Sequence, residues 1–93
     1  MSQIGIYFSP EPFNKEKYEG TLKTLEAAGA GSPKGRLYHF CFGEGEKLMV
    51  FDVWESQETF DAFGQTLMPI MSELGINPGE PAIMPMVNTI LGK

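Results

Sequence analysis

Seven Lys and Arg against twelve Asp and Glu give this 93-residue chain a net charge of −5, which repels phosphate backbones and anionic lipid and excludes nucleic acid as an expected partner. A single domain of this length buries only about 60 to 65% of the surface its unfolded chain exposes, so a partner subunit would add needed area. One cysteine excludes an internal disulfide, no apolar run approaches the roughly 20 residues of a membrane-spanning helix, and the start MSQIGIYF lacks a secretory pattern, so a soluble cytoplasmic chain without membrane attachment is expected.

Gln3 to Phe8 reads as a first strand, with Ile4, Ile6 and Phe8 alternating against Gln3, Gly5 and Tyr7. Ser9-Pro10-Glu11-Pro12 ends it, because each proline fixes φ and removes a backbone donor. Asn14 then caps a helix, with Phe13 and Tyr18 placed for a hydrophobic staple and Tyr18, Leu22, Leu25 and Ala28 forming its inward stripe. Gly29 or Gly31 closes it.

Two strands follow, Arg36 to Phe42 and Lys47 to Trp54, around the turn Gly43-Glu44-Gly45-Glu46. Ser56 caps a second helix that turns Phe60, Phe63, Leu67, Ile70, Met71 and Leu74 inward, with a kink or break expected at Pro69 and a stop at Gly75. Asn77 to Pro81 is a turn, and Ala82 to Leu91 reads as a last strand that Pro85 confines to an edge or a bulge. The order strand, helix, strand, strand, helix, strand predicts an α+β, ferredoxin-like βαββαβ domain over residues 1–93, a four-stranded antiparallel sheet with both helices on one face.

A hairpin loop of even length groups Tyr38, Phe40 and Phe42 with Met49, Phe51 and Val53, and Leu37, His39 and Cys41 with Leu48, Val50, Asp52 and Trp54. The wholly aromatic and aliphatic first set is expected beneath the helices. The second set is too apolar to face water, so the expectation is a homodimer of two sheets packed face to face. His39, Asp52, Trp54 and Tyr7 would then line a partly polar space at the interface, the alternative place for a pocket being between sheet and helices.

The chain resembles the dimeric α/β-barrel superfamily. Trp54-Glu55-Ser56-Gln57-Glu58-Thr59-Phe60 looks like the strand-to-helix junction of its antibiotic-biosynthesis-monooxygenase-like members, and the element order extends the likeness over nearly the whole chain. The resemblance implies a homodimer and an activity drawn from a range that includes cofactor-free quinone-forming oxygenases, heme-degrading oxygenases, decarboxylating enzymes and isomerases. The heme-degrading pattern, an Asn on the first strand, a Trp ending the third and a His in the second helix, is met here by Trp54 alone. Its iron-ligand position falls on Phe63 or Gly64, so heme degradation is disfavoured.

Among candidate residues, His39 titrates near working pH and suits a proton shuttle, against the plainer role of a hydrogen-bonded interface histidine. Asp52 is costly in an apolar strand unless paired, with Arg36 or His39 as its simplest partner, and it would orient His39. Trp54 and Tyr7 would shape a ligand pocket, with Cys41 and Asn88 as further lining, although Cys41 reads first as a small buried hydrophobe and Asn88 has no determined face. One His and one Cys on a strand make a poor metal set, so no metal and no cofactor are expected. The functional expectation is a cofactor-independent, monooxygenase-like enzyme for a small aromatic or apolar molecule; the alternative is a non-catalytic ligand-binding or structural dimer.

Overall fold

The computed structural model describes residues 3–92, which form β1 (Ile4–Phe8), α1 (Lys15–Ala27), β2 (Arg36–Phe42), β3 (Met49–Trp54), α2 (Gln57–Glu73) and β4 (Ala82–Pro85). The strands make one antiparallel sheet in the order β2-β3-β1-β4, the ferredoxin-like arrangement expected from the element order. One core joins Ile4, Ile6, Phe8, Val50 and Trp54 of the sheet to Leu25 of α1 and Phe60, Phe63, Leu67, Ile70 and Met71 of α2. Both helices therefore cover the same face.

The helix ends follow from their capping residues. Lys17 N–H donates to Asn14 Oδ1 at 2.8 Å, and Thr59 N–H donates to Ser56 Oγ at 3.2 Å. Phe13 meets Tyr18 edge to face, ring centroids 5.9 Å apart, which fixes the angle at which the chain enters α1. The inward stripe of α1 is rotated from the expected one: Thr21 and Leu25 are buried, while Leu22 and Ala28 are exposed. Thr21 is tolerated inside because its hydroxyl donates to the Lys17 carbonyl at 2.9 Å. α2 runs unbroken through Pro69, held by the buried residues on either side of it, where a kink or break was expected.

Two further expectations are corrected. The hairpin loop is even but longer than four residues, since Phe42 pairs with Met49 and His39 with Asp52; this slides the register by two and preserves the grouping of side chains from Tyr38 onward, while Leu37 falls at a slip in the ladder. The face beneath the helices is the opposite of the expected one. β1 has a single strongly apolar face, Ile4-Ile6-Phe8, and Ile6 pairs with Asp52, so Val50, Asp52, Trp54 and His39 lie toward the helices. The aromatic face is left uncovered: Phe40 is 52% exposed and Phe42 48%, with Tyr7 on the same side opposite Phe51.

The last strand stops at Pro85 rather than continuing to Leu91, because proline removes the next ladder donor and only the Met86 N–H returns to the sheet, 2.9 Å from the Gln3 carbonyl. Among the described residues, no helix is long and apolar enough to cross a membrane.

Candidate functional site

The strand alternation that sends Val50, Asp52 and Trp54 inward places an acid in the core. Asp52 is 3% exposed, and both of its oxygens are used. Oδ1 lies 2.6 Å from His39 Nδ1, the partner directly across the hairpin, and Oδ2 accepts from the Trp54 indole N–H at 3.3 Å. The sequence left Arg36 and His39 as alternative partners; His39 is the one that pairs. No buried side-chain polar atom among the described residues lacks a hydrogen-bond partner, so the cost of burying this carboxylate is offset locally.

The chain of contacts continues outward. His39 Nε2 lies 2.8 Å from the Tyr18 hydroxyl. With Asp52 ionised and acceptor-only, Nδ1 must donate to it, which leaves the Nε2 lone pair to accept the Tyr18 O–H. The result is a directed series, Tyr18 to His39 to Asp52, anchored on Trp54. Burial pushes the Tyr18 phenol above its ordinary 10.0; the nearby Cys41 adds to the rise, the Arg36 guanidinium opposes it, and Asp52 adds the least. Burial likewise pushes the Cys41 thiol up, which makes it a poor nucleophile.

Tyr18, His39 and Asp52 border a cleft between α1, α2 and the sheet, whereas Trp54, fully buried behind Asp52, and Cys41 do not line it. α1 supplies Tyr18, Thr21 and Leu25, α2 supplies Phe63, Leu67 and Met71, and the sheet supplies Phe8, Arg36, His39, Val50 and Asp52. The lining is overwhelmingly hydrocarbon. The cleft holds about 40 Å³ of free space. His39 and Arg36 also border a shallow depression beside Ser32 and Pro33, which gives the imidazole a path to water.

The structure brings together three of the six residues singled out from sequence, His39, Asp52 and Trp54, and leaves Cys41 half-buried on the same sheet face beside the core. Tyr7 lies on the other face, its hydroxyl 2.9 Å from Met49 Sδ, so it does not border this cleft. Asn88 lies beyond β4 and is exposed, next to Gln3, Met86 and Val87. In the sequence Tyr18 fits a core and staple position, and the structure adds its hydrogen bond to His39. A phenol on the inward stripe of an amphipathic helix was the available signal, since a buried tyrosine hydroxyl needs a partner and His39 is the lone imidazole of the chain. Among the described residues no group of three or more His, Cys, Asp or Glu is arranged to hold a metal ion.

No family model matches the chain, and no curated protein matches it in sequence. Solved structures do match along nearly its whole length. A structure assigned as an antibiotic biosynthesis monooxygenase from Chloroflexus aurantiacus superposes with a TM-score of 0.66 at 16% identity, covering 96% of this chain and 97% of the other. SnoaB, a cofactor-independent oxygenase from Streptomyces nogalater, gives a TM-score of 0.66 at 14% identity, covering 97% and 98%. MupZ from Pseudomonas fluorescens gives 0.61 at 11% identity, covering 89% of this chain and 71% of its own. The fold is that of the antibiotic biosynthesis monooxygenase-like proteins. Identities this low transfer the architecture and no residue role, so the site is described by its own geometry.

Two outcomes test that geometry. Asp52→Ala strands the Trp54 indole N–H and the His39 Nδ1–H, and should lower unfolding stability by about 2–3 kcal/mol in urea titrations, with Asp52→Asn costing less because it keeps an acceptor for the indole. A smaller loss for Asp52→Ala than for Asp52→Asn would show that the carboxylate holds nothing together. Because the native Tyr18 phenol titrates above its unfolded value, its contribution is fully present below the ordinary tyrosine range and is lost as pH rises through the native value. The urea midpoint of wild type should therefore fall more steeply than that of Tyr18→Phe as pH rises above about 9.

Proposed function

We propose that the protein is a cofactor-independent, monooxygenase-like enzyme acting on a small aromatic or apolar molecule held in the cleft between α1 and the sheet. The observation that carries this reading is the directed Tyr18–His39–Asp52 series opening into an apolar cleft. The likeness in fold to SnoaB, itself a cofactor-independent oxygenase, supports the same class of chemistry.

The arrangement suits removal of a proton from an acidic O–H or a doubly activated C–H. As substrate approaches, the Tyr18 oxygen accepts its proton while the phenolic proton passes to His39 Nε2. The imidazolium so formed faces the Asp52 carboxylate at 2.6 Å, and it returns its proton to water through the depression beside Ser32 and Pro33. Asp52 thus acts by orienting His39 and stabilising its charged form, and Trp54 holds Asp52 in place. The electron-rich substrate anion reacts with dioxygen directly. For an activated ring methylene the net change is CH2 plus O2 to C=O plus water, which balances without a cofactor. Hydrocarbon walls favour the anion's reaction over quenching by solvent.

The same reading takes the protein as a cytoplasmic homodimer joined through the uncovered sheet faces. Phe40, Phe42 and Tyr7, with Met84 beside Gly5, make a continuous apolar surface, and Tyr38, Phe40 and Phe51 stack across it at centroid distances of 6.5 and 6.4 Å. Val87, Ile90 and Leu91 beyond β4 are also exposed. Hiding several such side chains contributes several kcal/mol at about 25 cal/mol per Å². A second copy presents the same surface and is the simplest cover.

A second reading, a ligand-binding or structural dimer without catalysis, is favoured by the small free volume of the cleft, about 40 Å³. Oxygen uptake separates the two. With a panel of hydroxyaromatic compounds bearing an activated methylene, wild type should consume dioxygen and form the carbonyl product, and His39→Ala and Tyr18→Phe should each be slower by about 100-fold or more. Binding without uptake, or full activity in both variants, would leave the non-catalytic reading. For assembly, light scattering behind a sizing column should give twice the 10.3 kDa chain mass for wild type at micromolar concentration, and monomer for the doubly substituted Phe40→Glu, Phe42→Glu protein; a wild-type monomer would refute the dimer.

A further inference from the structure

Arg36 is turned into the cleft by an irregularity in β2. Counting back by two from Tyr38, which pairs with Val53, would place Arg36 on the uncovered aromatic face. The ladder instead slips between Arg36 and Tyr38, so that Leu37 is the extra residue and Arg36 pairs with Trp54. Residues directly opposite one another share a face, and Trp54 faces the helices. The bulge therefore moves Arg36 to the side of His39 and Asp52, as bulges beside binding sites commonly re-aim a side chain.

The backbone around the bulge is closely fitted. Glu55 N–H donates to the Gly35 carbonyl at 2.8 Å. Gly35 has φ 94, and a Cβ there would fall 2.5 Å from the Thr59 side chain, so only glycine lets β2 begin this close to α2.

Arg36 is half-buried, and among the described residues its guanidinium makes no ion pair. Its one hydrogen bond runs from Nη2 to the Gly31 carbonyl at 3.5 Å, the limit of such a contact. Five donors on a fixed planar fork, partly withdrawn from water at the edge of a hydrocarbon cleft, match a carboxylate or an acidic enol or phenol oxygen better than any neutral group. Asp52 does not satisfy it, because both Asp52 oxygens are taken by His39 and Trp54.

We propose that Arg36 is the anion-recognition residue of the cleft, and that the ligand is a small apolar body carrying a single carboxylate or comparably acidic oxygen. This rests on the cleft being the ligand site proposed above and narrows its substrate class. The free space of about 40 Å³ limits what enters the cleft to a small group. With the anion on Arg36, the apolar part of the ligand enters between Tyr18 and Val50, beside the proton-accepting end of the series.

The test uses phenylacetate and phenylacetamide, which have the same shape and differ in charge, titrated into the intact protein with Trp54 fluorescence as the readout. Wild type should bind phenylacetate about tenfold or more tightly than phenylacetamide, and added salt should weaken only the acid. Arg36→Gln should bind both probes alike, and Arg36→Lys should retain part of the preference, because an ammonium supplies the charge without the fork. Equal binding of the two probes by wild type, or an undiminished preference in Arg36→Gln, would overturn the assignment while leaving the cleft as a ligand site. Failure of wild type to bind either probe would overturn both.

Discussion

Everything at the site depends on one carboxylate almost wholly withdrawn from water. A buried, ionised Asp is held only where donors meet its oxygens, and Asp52 obtains one from the imidazole across the hairpin and one from the indole two residues along its own strand. Those contacts fix three side chains at once. The indole is locked into the core against Phe60 and Phe63, the imidazole is held in a single tautomer, and the free nitrogen of that imidazole is aimed at α1. A chain of groups able to pass a proton thus arises as a by-product of keeping a charge inside a small core.

The second constraint is that a four-stranded layer with two helices has more apolar surface than those helices can hide. The hairpin β2–β3 is apolar on both sides, so it does not by itself choose which side turns inward. The choice is made by β1, which offers the helices Ile4, Ile6 and Phe8 on one side and only Gly5 and Tyr7 on the other. Pairing Ile6 with Asp52 carries the polar trio inward with β1, and the phenylalanines are left outside. The protein therefore has two distinct surfaces: a largely apolar cleft under the helices, bordered by the Tyr18–His39–Asp52 series, and an exposed aromatic sheet face.

Much of this was legible in the chain. Asn14 and Ser56 marked the helix starts because a side-chain oxygen is needed where backbone donors have no partner, and the spacing of Phe60, Phe63, Leu67, Ile70 and Met71 marked the buried face of α2. An even hairpin put His39 and Asp52 on one face but left Arg36 and His39 as alternative partners of the acid, and the register, two residues further on, chose His39. The rotation of α1 was not legible, because Thr21 enters the core through a hydrogen bond to its own helix rather than through hydrophobicity. The partner of His39 on α1 was hidden for the same reason, since Tyr18 fits a packing stripe equally well with or without a hydrogen-bonded hydroxyl. The bulge at Leu37 was equally hidden, being fixed by the approach of Gly35 to Thr59, which lies more than twenty residues away in the chain.

The sequence by itself determined what short-range chemistry controls: the order of the six elements, their caps and the grouping of the hairpin side chains from Tyr38 onward into two sheet faces. Tertiary structure decided which face each group occupies, because that depends on a pairing between β1 and β3 that are separated by both a helix and a strand. It also decided the meeting of Tyr18 with His39 and the turning of Arg36 inward. Alternation along a strand says which residues travel together, and only the packing of the layers says which way they point.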